Sequence, residues 1–141
     1  MTHHLALTAD QILRDRVLVV DDEPLIRWSL SETLEQRGFA VVEAGDAQTA
    51  MDEAGNPEQP FAVAMLDVRL PDSDGLGLLK HLRCVIPETR VILMTAHGSP
   101  ELAKDALDLG AYCVLDKPFE MSAIADIVDQ ARGECRSTYP N

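Results

Sequence analysis

FAVAMLDVRLPDSDG, residues Phe61 to Gly75, decides how this chain is read. The apolar run Phe61 to Leu66 predicts a buried strand, and that run ends on a carboxylate, Asp67. Pro71, Asp72, Ser73, Asp74 and Gly75 follow as a loop of turn formers feeding an apolar-periodic helix. A parallel α/β sheet collects its ligands outside the carboxyl ends of its strands. A carboxylate there is either a chemical group or a turn residue capping the loop backbone. This stretch alone leaves both readings open.

The surrounding chain repeats the pattern. Val17 to Val20 is a short β-branched strand, followed by Asp22-Glu23-Pro24 as a helix start with Asp22 as N-cap. Leu25, Ile26, Ser29, Leu30, Thr33 and Leu34 keep helical spacing up to Gly38. Ala40 to Ala44 is a second strand, and Asp46 caps a short helix ending at Gly55. After the strand at 61–66 come a helix from Leu76 to about Val85 and a strand from Arg90 to Met94. Ser99-Pro100-Glu101 starts a helix that stops at Gly110, Tyr112 to Leu115 is a fifth strand, and Met121 to about Arg132 is a last helix. Five strands alternating with five helices predict an α/β fold, a doubly wound parallel sheet with covered right-handed crossovers.

At 141 residues, 46% hydrophobic and 26% charged, the chain has the size and composition of one globular domain. We expect a leader over residues 1–15, the domain over 16–132 and a polar tail or start of a linker over 133–141. Thr8 to Arg14 is expected to form a helical turn or two, and His3 and His4 are given no function. The net charge of −12 argues against direct nucleic acid binding, which needs Lys and Arg patches, and suits a cation or a basic partner. No run approaches the roughly 18 apolar residues of a membrane span, and no signal-peptide pattern opens the chain, so a cytoplasmic location is expected. Cys84, Cys113 and Cys135 lack paired or metal-ligand spacing and read as reduced thiols, the first two in or near the core.

The strand ends carry the chemistry. Asp21 and Asp22 follow the first strand, Asp67 the third, Thr95 the fourth, and Asp116-Lys117-Pro118 the fifth. In a sheet ordered 2-1-3-4-5 these ends are neighbours. Three carboxylates, a hydroxyl and an ammonium then converge on one pocket, with His97 near its mouth. Near 4 Å, a like-charge pair costs about 1 kcal/mol in water and about 4 near a protein surface, more than one Lys offsets. An all-oxygen site of this kind suits a hard divalent cation, Mg2+ first. Singly, Asp22 reads as a cap, Thr95 as a strand-end hydroxyl, Lys117 as a solvated cation and Gly75-Leu76-Gly77 as a helix opening rather than a phosphate loop.

VLVVDDEP, MLDVRLPDSDG, VILMTAHG and GAYCVLDKPF resemble, in order and spacing, the motifs of bacterial response-regulator receiver domains. The resemblance spans about Arg16 to Arg132, and MTAHG, LDKPFE and DGLGLLK are most similar to receivers of nitrogen-regulator-type transcription activators. It implies a flavodoxin-like (CheY-like) sheet and a two-component phosphoacceptor. Asp67 would take a phosphoryl group from a sensor histidine kinase. Asp21, Asp22, Asp67 and the Arg69 backbone carbonyl would hold Mg2+ (or Mn2+), Asp21 directly or through water. Lys117 and Thr95 would engage the phosphoryl oxygens and bias a face made by the fourth helix, fifth strand and fifth helix.

One departure stands out: the family's usual aromatic three positions before the Lys is Val114 here, with Tyr112 two residues earlier and expected on the same face. Arg69 and His97 are expected to tune phosphoryl lifetime. Partners would be the kinase, a histidine phosphotransfer protein or output partner, and a second copy in a homodimer. With no further domain after Arg132, the chain reads as a free-standing receiver or a piece of a larger protein. Two rivals remain, a degenerate interaction module and an aspartyl-phosphate phosphohydrolase. Arg69 stands where the latter would carry a second Asp. The protein is not expected to be a conventional enzyme.

Overall fold

Strand β1 (Arg16–Val20) lies inside the sheet, and Val17 through Val20 are wholly buried, which is why the run is apolar without alternation. It pairs in parallel with β2 (Ala40–Ala44) on one side and β3 (Val63–Asp67) on the other. β6 (Arg90–Thr95) continues from β3, and β7 (Cys113–Asp116) closes the far edge. The order β2-β1-β3-β6-β7 is the expected 2-1-3-4-5 once two short strands, β4 (Arg69–Leu70) and β5 (Ser73–Asp74), are set aside as an antiparallel hairpin. The computed structural model describes residues 16–56, 58 and 60–136, so the expected turn at Thr8 to Arg14 lies outside the described residues.

Two cores flank the sheet. Leu30 and Leu34 of α1 (Pro24–Gln36) join Ile124, Ala125, Val128 and Ala131 of α5 (Met121–Arg136) over Val17, Val19, Met65 and Ile92. On the other face α2 (Ala47–Ala54) and α3 (Gly75–Val85) cover Leu18, Val20, Leu66 and Leu93. The depth of anchoring differs between helices. α3 buries Leu78, Leu79 and Leu82 fully, whereas α4 (Pro100–Asp108) buries Ala106 alone. Arg37, just past α1, bonds Asp126 at 2.8 Å and Asp129 at 2.7 Å, tying α1 to α5.

Several local expectations change. Asp22 does not cap α1: Glu23 is the N-cap residue and its side chain caps nothing, while the Glu23 N–H donates to Asp21 Oδ1 at 2.9 Å. The third strand begins at Val63 and takes in Asp67, and α5 runs to Arg136, because Gly133 does not break a helix still packed through Ala131. Cys84 is exposed on α3, whose buried stripe passes through Leu78, Leu79 and Leu82; Cys113 is half-buried. Tyr112 and Val114 do not share a face. Tyr112 precedes the strand and packs with the α1/α5 core, whereas Val114 packs with the α2/α3 core.

Candidate functional site

Asp67 ends the central strand with both of its neighbours in the sheet also ending there, so its carboxylate reaches the pocket while 5% of the residue stays accessible. Its Oδ1 accepts the Arg69 N–H at 3.0 Å, a turn bond that makes the chain reverse into the β4/β5 hairpin. Gly75 is needed where the hairpin closes. A Cβ there would sit 2.6 Å from Val68 Cα and 2.8 Å from the Asp67 carbonyl oxygen. The hairpin tip is held from outside: Asp72 accepts the Ala47 N–H at 2.8 Å and the Gln48 N–H at 3.0 Å, adding to Asp46, which accepts from Thr49 at 2.7 Å. One helix start thus carries two capping carboxylates.

Lys117 links the strand ends. It follows β7, precedes a cis Lys117-Pro118 bond, and donates to Asp21 Oδ2 at 2.9 Å, Asp67 Oδ2 at 3.1 Å and Glu23 Oε1 at 3.3 Å. Asp21 is wholly buried and its carbonyl accepts from Arg27 Nη1 at 2.6 Å, while Arg27 Nε bonds Glu43 at 3.0 Å. Burial pulls the Lys117 pKa down, but the bonds and charges of Asp21 and Asp67 more than reverse this and leave it raised. Burial, followed by the Asp21 charge, holds Asp67 above its ordinary value despite the Arg69 N–H and Lys117.

Thr95 is buried at the end of β6, and its Oγ1 accepts the His97 N–H at 3.1 Å. Ser99 caps α4 through the Leu102 N–H. Between them, a Cβ on Gly98 would collide with the Asp116 carboxylate and stand 3.1 Å from Thr95 Cγ2. Asp22, Glu23, Asp67, Val68, Arg69, Thr95, Ala96, His97 and Lys117 enclose an open pocket of about 300 Å³, with Asp21 bonded to Lys117 behind it. Tyr112 and Val114 are not among these lining residues.

One carboxylate oxygen from each of Asp21, Asp22 and Asp67 lies within 4.8 Å of the others. With Glu23, four carboxylates gather at a pocket edge whose cations are Lys117 and Arg69, a net acidic cluster. Oxygen-only donors around that excess charge fit a hard divalent cation such as magnesium. Glu23 is the residue that sequence reasoning passed over. Its signal was the third acid of DDE, read there only as part of a helix start.

An acidic pocket at the carboxyl edge of a doubly wound 2-1-3-4-5 sheet is the architecture of a two-component receiver. The chain belongs to the response regulator receiver domain family, whose profile matches residues 17–129. It is 35% identical over 118 residues to the transcriptional regulatory protein FixJ of Bradyrhizobium diazoefficiens, covering 84% of this chain and 57% of that protein. It is 32% identical over 117 residues to sporulation initiation phosphotransferase F of Bacillus subtilis, covering 83% of this chain and 93% of that one. Among solved structures, the beryllofluoride-activated NtrC4 receiver domain dimer is 37% identical, with a TM-score of 0.80 over 86% of this chain and 98% of that chain. The receiver is thus of the NtrC-like kind. The chain spans little more than half the length of FixJ. Among the described residues, no helix is long and apolar enough to cross a membrane.

Proposed function

We propose that residues 16–132 form a phosphoacceptor receiver in which Asp67 takes a phosphoryl group from a phosphohistidine on a sensor kinase. The observation that carries this is the buried Asp67 carboxylate, sharing the Lys117 ammonium with Asp21 at the floor of an open pocket. An Asp67 oxygen attacks phosphorus, the P–N bond breaks, and the freed imidazole takes up a proton, leaving an acyl phosphate. Asp21, Asp22, Asp67 and the Arg69 carbonyl would hold magnesium or manganese. When bound, the ion neutralises charge on the transferring oxygens. Lys117 pairs with a phosphoryl oxygen, and the Thr95 hydroxyl turns from the His97 N–H to another. Arg69 and His97, at the pocket wall, set how fast water reaches the acyl phosphate. The domain thereby catalyses its own phosphorylation and slow hydrolysis and turns over no other substrate.

Rearrangement then falls on α4, β7 and α5, where an output partner, a histidine phosphotransfer protein or a second copy would dock. The dimeric state of the similar NtrC4 receiver supports the last of these. Val114 stands where the family's usual aromatic would be and Tyr112 packs into the opposite core, and the switch is placed on the loop from Thr95 to Ser99. Intact mass after incubation with acetyl phosphate tests the proposal. A single phosphoryl gain that needs both a divalent cation and Asp67 is expected. A gain that persists in Asp67→Asn would move the acceptor elsewhere, and no gain at all would favour a non-phosphorylated interaction module.

A further inference from the structure

We infer that Glu23 is a resident stand-in for the incoming phosphoryl group, occupying the third hydrogen-bonding position of Lys117 until that group arrives. The inference rests on the phosphoacceptor reading and assigns a positioning role to a residue outside the expected set. A Lys ammonium has three N–H donors. Here all three point at carboxylates: Asp21 at 2.9 Å, Asp67 at 3.1 Å and Glu23 at 3.3 Å. A phosphoryl oxygen can bond Lys117 only by displacing one of them.

Burial decides which one leaves. The Asp21 side chain is 0% accessible and would be left as a buried carboxylate without its cation, and Asp67, 8% accessible, stays a carboxylate needing Lys117 until its bond to phosphorus has formed. The Glu23 side chain is 58% accessible and is the longest of the three contacts; water takes it back readily. A second observation agrees. Glu23 is the N-cap residue of α1, a place where Ser, Asp or Asn would stabilise the helix by bonding an N–H, yet its side chain makes no cap bond and reaches Lys117 across 94 residues instead. Glu reaches Lys117 at 3.3 Å; Asp or Asn, the better caps, are one methylene shorter.

Beryllofluoride, the phosphoryl stand-in bound in the NtrC4 receiver, allows the exchange to be measured without turnover. The affinity of the full chain for beryllofluoride at saturating magnesium would be read from the Thr95 and Ala96 amide resonances, in wild type, Glu23→Gln and Glu23→Asp. Asp keeps the charge at the rim but shortens its reach by one methylene. If Glu23 competes for Lys117, both variants bind about two- to fivefold more tightly than wild type, as releasing an exposed ion pair implies. Tightening in Glu23→Gln alone would reduce Glu23 to a repulsive charge and overturn the inference, as would no tightening in either. Wild type that binds no beryllofluoride would overturn the phosphoacceptor reading and the inference with it.

Discussion

Replacing Asp67 with Asn should make the protein more stable at neutral pH. At 4.8 Å or less, the repulsion between Asp21 and Asp67 is roughly 3.5 kcal/mol at an effective dielectric near 20. The attraction of Lys117 at 3.1 Å returns roughly 5 kcal/mol on the same scale. Burial of the carboxylate costs several kcal/mol more, which leaves the charge unfavourable by about 1–2 kcal/mol. Asn keeps an oxygen for the Arg69 N–H, and Lys117 keeps Asp21 and Glu23. The urea midpoint should rise by about 0.5–1 M, given a slope of about 1–3 kcal/mol per M.

The pH dependence carries the same sign. Because the folded pKa of Asp67 is raised, the native state holds more protons than the unfolded state between the two pKa values. Wild-type stability therefore falls as pH rises through that window, and the Asn variant lacks this slope. Its advantage should grow as pH rises through that window and vanish below the ordinary carboxylate range, where Asp67 is protonated in both the folded and the unfolded state. Urea denaturation in magnesium-free buffer across that range is the assay. An Asn variant less stable than wild type at pH 7, or an advantage independent of pH, would refute the reasoning.

Substitutions at two further places probe the segments beside the pocket. Asp72→Ala should cost about 2 kcal/mol by stranding the buried Ala47 N–H and freeing the Gln48 N–H, and Asp72→Asn about half of that. A loss below about 0.5 kcal/mol by urea denaturation would mean that the tip is held by something else. Gly98→Ala should cost about 1–3 kcal/mol from crowding against Asp116 and Thr95, and Asp116→Ala in the same chain should recover most of it. Additive effects in that double-mutant cycle would show that the two do not touch.

Much of this arrangement is legible in the residues. Apolar runs closed by Asp67, Thr95 and Asp116-Lys117 give the strands and place the site, and the Asp46 and Ser99 caps stand where their side chains say. What escapes a linear reading is set by contacts between distant elements. Asp22 is the cap that residue type favours, and nothing in the linear sequence shows that Asp21 takes the Glu23 N–H and Lys117 its carboxylate. Asp72 looks like one turn former among several, because its helix lies 25 residues earlier. Tyr112 leaves the face shared with Val114 because the strand's alternation begins at Cys113. The β4/β5 hairpin is two residues a side, too short for any periodicity to announce it.

The shallow seating of α4 sets an energy scale. Lifting it returns one fully buried alanine, and the edges of a few half-buried neighbours, to water, on the order of 1–2 kcal/mol. Lifting α3 would return three leucines, roughly 5–9 kcal/mol. One or two new charge-assisted hydrogen bonds at the strand ends, each about 1.5–3 kcal/mol, match the first sum and fall short of the second. A signal of that size therefore has a direction built into the apolar packing: it can lift α4 from the sheet and leaves α3, on the same face, seated.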